Sequence, residues 1–404
     1  MDHPILGQLA LAYSPVIDRN RNVTATRLSV FPLSQTAALA PNDLLAAISE
    51  TWPADGGQLW MNIVSETLLR DMLDAQPGTH ILIELPAFMA GDPSFVDPLC
   101  TLHANGSTLL LKGRPLQELP REVLDCFKYA IIDFEDDRRY DPATSTPSAA
   151  GAAGEGFIRN IGHVQAGITN VADMETSFRR GAAAVLGWPI DNIIDESSRP
   201  ADQPALQVIV HLIDQVHKEA EIEDLENTLK RDPALAYKLM RYINSPAFGL
   251  SVEINSFRHA IMILGYQRLK RWLALLLATA SKDPNMRPVM FAAVRRGLLM
   301  EELGKLSGDD EQRSELFICG VFSLLDRMFR QPFSALLKTI PVPERVYQAL
   351  ADHTGPYEPY FNLVKAVEGS TMYDIKEAAD HMMMSFSDIN GAILRALKAA
   401  SQLD

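Results

Sequence analysis

Residues 232–280, DPALAYKLMRYINSPAFGLSVEINSFRHAIMILGYQRLKRWLALLLATA, predict three helices in close succession. Asp232 can cap the first, and Pro233 falls at an initial position whose N–H has no helical partner to lose. Leu235, Leu239, Tyr242 and Ile243 then recur at helical spacing until Asn244, Ser245 and Pro246 stop the run. Ser256 can cap a second helix, in which Ala260, Ile261 and Leu264 share a face, and Gly265 sits where a left-handed C-terminal residue is wanted. In the third helix Leu269, Trp272, Leu273 and Leu276 form the i, i+3, i+4, i+7 stripe, while Ala274, Leu275 and Leu277 fill its flanks. A helix apolar nearly all round is expected to be buried.

Helical periodicity extends outward from this stretch, over 206–218 and 224–230 before it and over 289–306, 315–330, 344–351, 361–367, 375–384 and 389–400 after it. No internal repeat accompanies it, which argues against a solenoid. The segments Asp-Pro at 232–233, Leu-Met-Arg-Tyr-Ile-Asn-Ser-Pro at 239–246, Ala-Ile-Met-Ile-Leu-Gly at 260–265 and Leu-Lys-Arg-Trp at 269–272 resemble the HDOD domain, the HD-related output domain. The resemblance extends in weaker form from about Arg199 to the C-terminus. It implies an all-helical signalling module related to metal-dependent HD phosphohydrolases, in which an adjacent His-Asp pair and further ligands hold metals that activate water. By that resemblance GVFSLLD at 320–326 places Ser323 and Leu324 where His and Asp belong, and leucine cannot ligate metal. His211, His217, His259, His353 and His381 stand at no ligand spacing and read as surface or satisfied core histidines.

Before residue 196 the pattern differs. LALAYSPVID at 9–18 and VTATRLSVF at 23–31, parted by Arg19, Asn20, Arg21 and Asn22, predict a strand hairpin. Then come a helix capped by Asn42 or Asp43 and running to 48, a strand at 58–64, a helix at 66–75, a strand at 80–85, a helix at 92–105, strands at 108–112 and 130–134, a strand within 157–168 and a helix at 174–184. Such alternation predicts parallel strands with helical crossovers. A complete eight-fold barrel takes about 250 residues, more than this region holds, so a reduced or open barrel is expected. Residues 141–156, DPATSTPSAAGAAGEG, hold too few large apolar side chains to offset ordering entropy and predict a mobile loop. The polar, proline-punctuated run at 195–204 marks a boundary, giving domains 1–195 and 196–404.

Met61-Asn62-Ile63, Ile83-Glu84-Leu85-Pro86, Ile132-Asp133-Phe134, Gln165-Ala166-Gly167-Ile168 and Leu186-Gly187-Trp188-Pro189 resemble, in order and rough spacing, the motifs of the EAL domain, the barrel that hydrolyses cyclic di-GMP. That family holds divalent cations with carboxylates and an asparagine at strand ends. The resemblance implies that Asn62, Glu84 and Asp133 match three ligand positions. It places Arg27 where the family's signature glutamate belongs, Phe31 at its phosphate-binding arginine, Thr169 at a later glutamate and Leu186 at a glutamine. A guanidinium where a cation must bind removes more than one ligand. Arg27 is therefore expected to pair with Glu84 or Asp133.

The chain has 404 residues and a formal charge of −14, with 13 Lys+Arg against 24 Asp+Glu before residue 196 and 24 against 27 after it. A negative surface disfavours non-specific nucleic-acid binding. Arg268, Lys270 and Arg271 beside the Gly265 turn suggest helix-turn-helix, but the helix that follows is too apolar to offer a groove-facing side. Cys100, Cys126 and Cys319 are dispersed and odd in number, which argues against a disulfide framework or a structural zinc site. Glu135, Asp136, Asp137, Arg138 and Arg139 read as a solvated loop. Arg295, Arg296 and the run Met382, Met383, Met384 fit either an interaction surface or core. The N-terminus lacks a signal-peptide pattern and no apolar run is long enough to span a bilayer, so a cytoplasmic protein is expected.

The expectation is α/β plus all-α: a degenerate or incomplete EAL-type barrel followed by a helical HDOD domain. It is expected to act in bacterial signalling through a protein partner, with no catalytic residue, metal or cofactor of its own. Cyclic di-GMP binding without turnover and residual phosphodiesterase activity are the rival readings.

Overall fold

The computed structural model describes residues 3–34, 39–52, 57–75, 77–115, 117–137, 161–191, 204–230, 257–279, 281, 283–305, 308–338 and 340–401. The chain divides into two compact units, one of residues 1–192 with 366–391 and one of 193–365 with 392–404. The linker composition predicts a single division after residue 195; segment 366–391 instead joins the first unit.

In the first unit eight strands close into a barrel in sequence order. They are β1 Leu9–Asp18, β2 Val23–Pro32, β3 Gln58–Ile63, β4 Ile81–Pro86, β5 Thr108–Lys112, β6 Phe127–Asp133, β7 Gly162–Ile168 and β8 Ala184–Gly187. β1 runs antiparallel to β2 and β8, and every other neighbouring pair is parallel. The residue count predicts a reduced or open barrel, and the closed ring corrects it.

Two economies explain the closure. The β1–β2 hairpin supplies two strands without a crossover helix, its turn held by Asp18 Oδ1, which accepts from the N–H groups of Asn20 and Asn22, both at 2.8 Å. β8 is a strand that periodicity does not show; it begins at Ala184, where the helix expected at 174–184 ends. The helix there, Val171–Arg179, stops short, and the Ala183 N–H already donates to the His163 carbonyl of β7 at 2.9 Å.

Between the strands lie α1 Pro41–Thr51, α2 Glu66–Leu73, α3 Ala87–Ala90, α4 Val96–Ala104, α5 Arg121–Leu124 and α6 Val171–Arg179. Neither Asn42 nor Asp43 caps α1; Pro41 opens it, with its φ already set for a helix. Ser65 caps α2 by accepting from the Leu68 N–H at 3.3 Å. The loop predicted at 141–156 lies outside the described residues.

Inside the barrel, Val16, Ala25, Trp60, Leu82, Leu110, Ile131, Val164, Ala184 and Leu186 form one buried apolar layer drawn from all eight strands. Side chains on one face of a strand recur every second residue. The next inward positions on β2 to β6 are Arg27, Asn62, Glu84, Lys112 and Asp133, so polarity begins one step beyond the apolar layer, at the C-terminal strand ends.

Segment 366–391 is tied to this unit at two points. Trp188 Nε1 donates to the Glu368 carbonyl at 3.1 Å, and the Trp188 ring meets Tyr13 edge-on at 5.7 Å. Asn390, fully buried in the helix Phe386–Ser401, donates to the carbonyls of Leu6 and Leu9, both at 2.7 Å, and accepts from the Leu11 N–H at 3.0 Å.

The second unit is helical. Its described elements include α7 Pro204–His217, α8 Ile222–Lys230 and further helices over Phe257–Thr279, Arg287–Gly304 and Asp310–Phe322. The first of the three helices predicted in 232–280, and the Ser256 cap, lie outside the described residues. The other two appear as the run Phe257–Thr279, broken at Gly265, whose φ of 67° and ψ of 170° no helix accommodates. Leu269 and every residue from Trp272 to Leu277 are buried, as an all-round apolar helix requires. The helix predicted over 315–330 is two, parted at Ser323 and Leu324. Among the described residues no helix is long and apolar enough to cross a membrane.

Candidate functional site

The mouth of the barrel is the candidate site, because βα-barrels present their functional groups at the C-terminal strand ends. Arg27, two residues beyond Ala25 on β2, extends over the mouth and pairs with Glu84. Its Nε donates to Glu84 Oε1 at 2.7 Å and its Nη2 to Oε2 at 2.6 Å. The Glu84 side chain has no solvent exposure and that of Arg27 has 16%. Both carboxylate oxygens therefore face one planar guanidinium, the strongest geometry open to the pair.

A second chain of bonds crosses the same mouth. Lys112 Nζ donates to Asn62 Oδ1 at 2.9 Å, and Asn62 Nδ2 donates to Ser29 Oγ at 3.0 Å. Burial holds the Lys112 ammonium below its ordinary value, the positive Arg27 adds to that effect, and Glu84 opposes it. The polar links thus join β2 to β4, β2 to β3 and β3 to β5.

The remaining sequence-derived positions do not join this cluster. Asp133 is exposed and accepts from the Glu135 N–H at 3.1 Å, so of the two carboxylates expected for Arg27 the structure selects Glu84. Phe31 is half-buried and pairs through its backbone with Ala10 of β1. Thr169 is exposed beyond β7, and its carbonyl accepts from the Asp191 N–H at 2.8 Å. Leu186 lies deeper, in the apolar layer. Sequence reading missed Lys112 and Ser29. In TLLLK the lysine stands two residues beyond the inward Leu110, but three consecutive leucines hide that register until the barrel is closed.

In the helical unit, Ser323 Oγ donates to the Gly320 carbonyl at 2.7 Å and accepts from Arg296 Nη1 at 3.2 Å. Arg296 is buried, and its guanidinium lies 5.7 Å from the Phe361 ring centre. Leu324 is buried as well. Burial raises the Asp326 carboxyl above its ordinary value, against the attraction of Arg327 and Arg296. Buried Arg295 stacks on Phe291, so neither arginine of this pair offers an exposed interaction surface, whereas Met383 is 93% exposed.

The basic first turn near Gly265 is partly consumed at home: Arg271 pairs with Glu301 at 2.5 Å and lies over Phe317. Asp137 departs from the predicted solvated loop, because its buried carboxylate faces Arg114 at 3.7 Å and Arg180 at 3.9 Å. Among the described residues no group of three or more His, Cys, Asp and Glu side chains is placed to hold a metal ion.

Fold and site together define a two-unit protein, a closed βα-barrel with a salt-bridged mouth and a helical module. Within the helical module, residues 203–329 match the family model of the HDOD domain. This order of units is the one that the EAL and HDOD resemblances imply. Among curated proteins, the chain is 26% identical over 175 residues to the uncharacterized protein YuxH of Bacillus subtilis, an alignment covering 42% of each. It is 22% identical over 180 residues to the cyclic di-GMP phosphodiesterase CdgJ of Vibrio cholerae, covering 45% of this chain and 42% of that one. The alignments thus span less than half the length of these relatives. Among solved structures, the EAL domain of Mycobacterium smegmatis DcpA is similar at 19% identity and a TM-score of 0.32, over 46% of this chain and 92% of that one.

Proposed function

We propose that this chain is a non-catalytic signal-transduction protein, a degenerate EAL barrel joined to an HDOD domain. It works through protein–protein recognition in a bacterial pathway tied to cyclic di-GMP, motility or stress. The Arg27–Glu84 pair carries this reading. A carboxylate whose two oxygens both accept from one guanidinium gives that cation the chelating side a bidentate metal would use, and the guanidinium charge repels a metal. Asn62, the second ligand-type residue, gives its oxygen to the Lys112 ammonium. The mouth residues therefore do not fit the divalent cation that would activate a water for hydrolysis. Ser323 and Leu324 support the same conclusion for the helical unit.

One observation favours cyclic di-GMP binding without turnover as a second reading: Lys112 brings a second positive charge to the mouth, and a phosphodiester is an anion. Calorimetric titration with cyclic di-GMP, in Ca²⁺ and again in Mg²⁺ with assay for linear product, separates the cases. No heat and no product supports recognition of a protein partner. Binding without turnover identifies a nucleotide receptor, and Mg²⁺-dependent turnover overturns the non-catalytic reading.

A further inference from the structure

We propose that Cys100 and Cys126 form a peroxide-responsive dithiol that closes to an intramolecular disulfide. The two thiols converge on one acceptor, the Glu122 carbonyl of α5, with Cys126 Sγ at 3.2 Å and Cys100 Sγ at 3.8 Å. Cys100 is also among the groups that raise the Cys126 thiol. Cys100 lies in α4 and Cys126 between α5 and the start of β6, so the pair bridges neighbouring parts of the barrel wall. All three cysteines are free thiols, and the third, Cys319, is fully buried in the other unit.

The two thiols differ in the way a reacting and a resolving cysteine differ. Cys100 is half-exposed, while Cys126 is 2% exposed. Burial and the adjacent Cys100 push the Cys126 thiol up to about 12, so it rests protonated and reacts poorly with peroxide itself. Cys100 loses its proton as its sulfur attacks hydrogen peroxide: an S–O bond forms, the O–O bond breaks, and the hydroxide that leaves takes up that proton as water. The sulfur of Cys126 then attacks Cys100 Sγ, forming the S–S bond as the S–O bond breaks, and its proton leaves with the departing hydroxide as water. Two thiols and one peroxide give one disulfide and two waters, with the sulfurs oxidised and the peroxide reduced. Disulfides of this kind in reducing compartments are transient and redox-sensing rather than structural. Cys126 precedes β6, so the bond would form at the end of the barrel opposite Arg27 and Glu84, where residues serve stability rather than chemistry.

The test uses the full chain, reduced, desalted and treated with equimolar hydrogen peroxide. The expected result is a fall in total thiols from three to one and a Cys100–Cys126 cross-linked peptide lighter by two hydrogen atoms, in a protein that stays monomer-sized on a non-reducing gel. In Cys126→Ser, Cys100 should stop at the sulfenic acid and be captured by dimedone, and in Cys100→Ser capture should be lost. A titre that stays at three, a bridge involving Cys319, or chains joined through Cys100 in place of the internal bond would overturn the proposal. The thiol titre and the peptide are read on the unsubstituted protein, so poor folding of either variant leaves the test intact.

Discussion

Arg27 and Glu84, fifty-seven residues apart, face each other across the barrel mouth through two parallel hydrogen bonds of 2.7 and 2.6 Å. The carboxylate is wholly buried and the guanidinium nearly so, which makes each the other's compensation for lost water. An arginine likewise reaches Ser323 in the helical unit, where the HD resemblance places a histidine. Two positions that the family resemblances assign to metal chemistry are both met by a guanidinium.

Removing one partner of such a pair should cost more than removing both. Arg27→Met is expected to destabilise the protein by about 3–5 kcal/mol, because Glu84 is left as an uncompensated buried charge. Arg27→Met with Glu84→Met should recover most of that loss. Urea unfolding of the parent, both single variants and the double variant measures the difference, and a fully stable Arg27→Met would show that the pair does not seal the mouth.

Lys112 gives a pH dependence whose sign is fixed. Its folded value lies below the ordinary 10.5, so between the two values the unfolded chain binds more protons. The Lys112 contribution to stability therefore rises as pH increases through that window and is at its least favourable below the folded value. Comparing parent with Lys112→Met from pH 7 upward should show this rise in the parent alone; parallel pH profiles would contradict it.

Asn390 pins the returning C-terminal segment to β1 through three buried bonds. Asn390→Ala leaves two carbonyls and one N–H unsatisfied, at an expected cost of about 2–4 kcal/mol. Asn390→Asp should be worse, since it turns a carboxylate oxygen toward two carbonyl oxygens. Equal stability of the two variants in denaturant titrations would argue that these bonds are replaced by water.

Gly187 closes β8 onto β7. Its φ is 137°, and a Cβ there would stand 2.2 Å from the Ile168 carbonyl oxygen, which is backbone and cannot yield cheaply. Gly187→Ala is expected to lower the melting temperature and to speed amide exchange first along β7 and β8. Unchanged protection in those strands would show that the barrel seam relaxes around the methyl group.

Alternating patterns revealed most of the barrel because strand and helix write different periods into the chain. They failed at β8, whose four residues are too short to show a period, and the region's length, short for eight strand–helix units, made the barrel read as reduced or open. At the mouth, Arg27, Glu84 and Asn62 were legible through their family positions. Lys112 was not, because TLLLK reads equally well as a strand end in solvent until the barrel closes around it.

The sequence by itself determined the two kinds of unit, the hairpin, the Gly265 break and the buried helix after it, since all of these follow from local periodicity, turn residues and backbone freedom. Only the tertiary structure decided that the ring closes, that Arg27 takes Glu84 rather than Asp133, that Lys112 bonds Asn62, and that residues 366–391 return to the barrel. Those outcomes depend on groups distant in sequence meeting where water is excluded. Their energies come from burial and hydrogen-bond geometry, which no local pattern encodes.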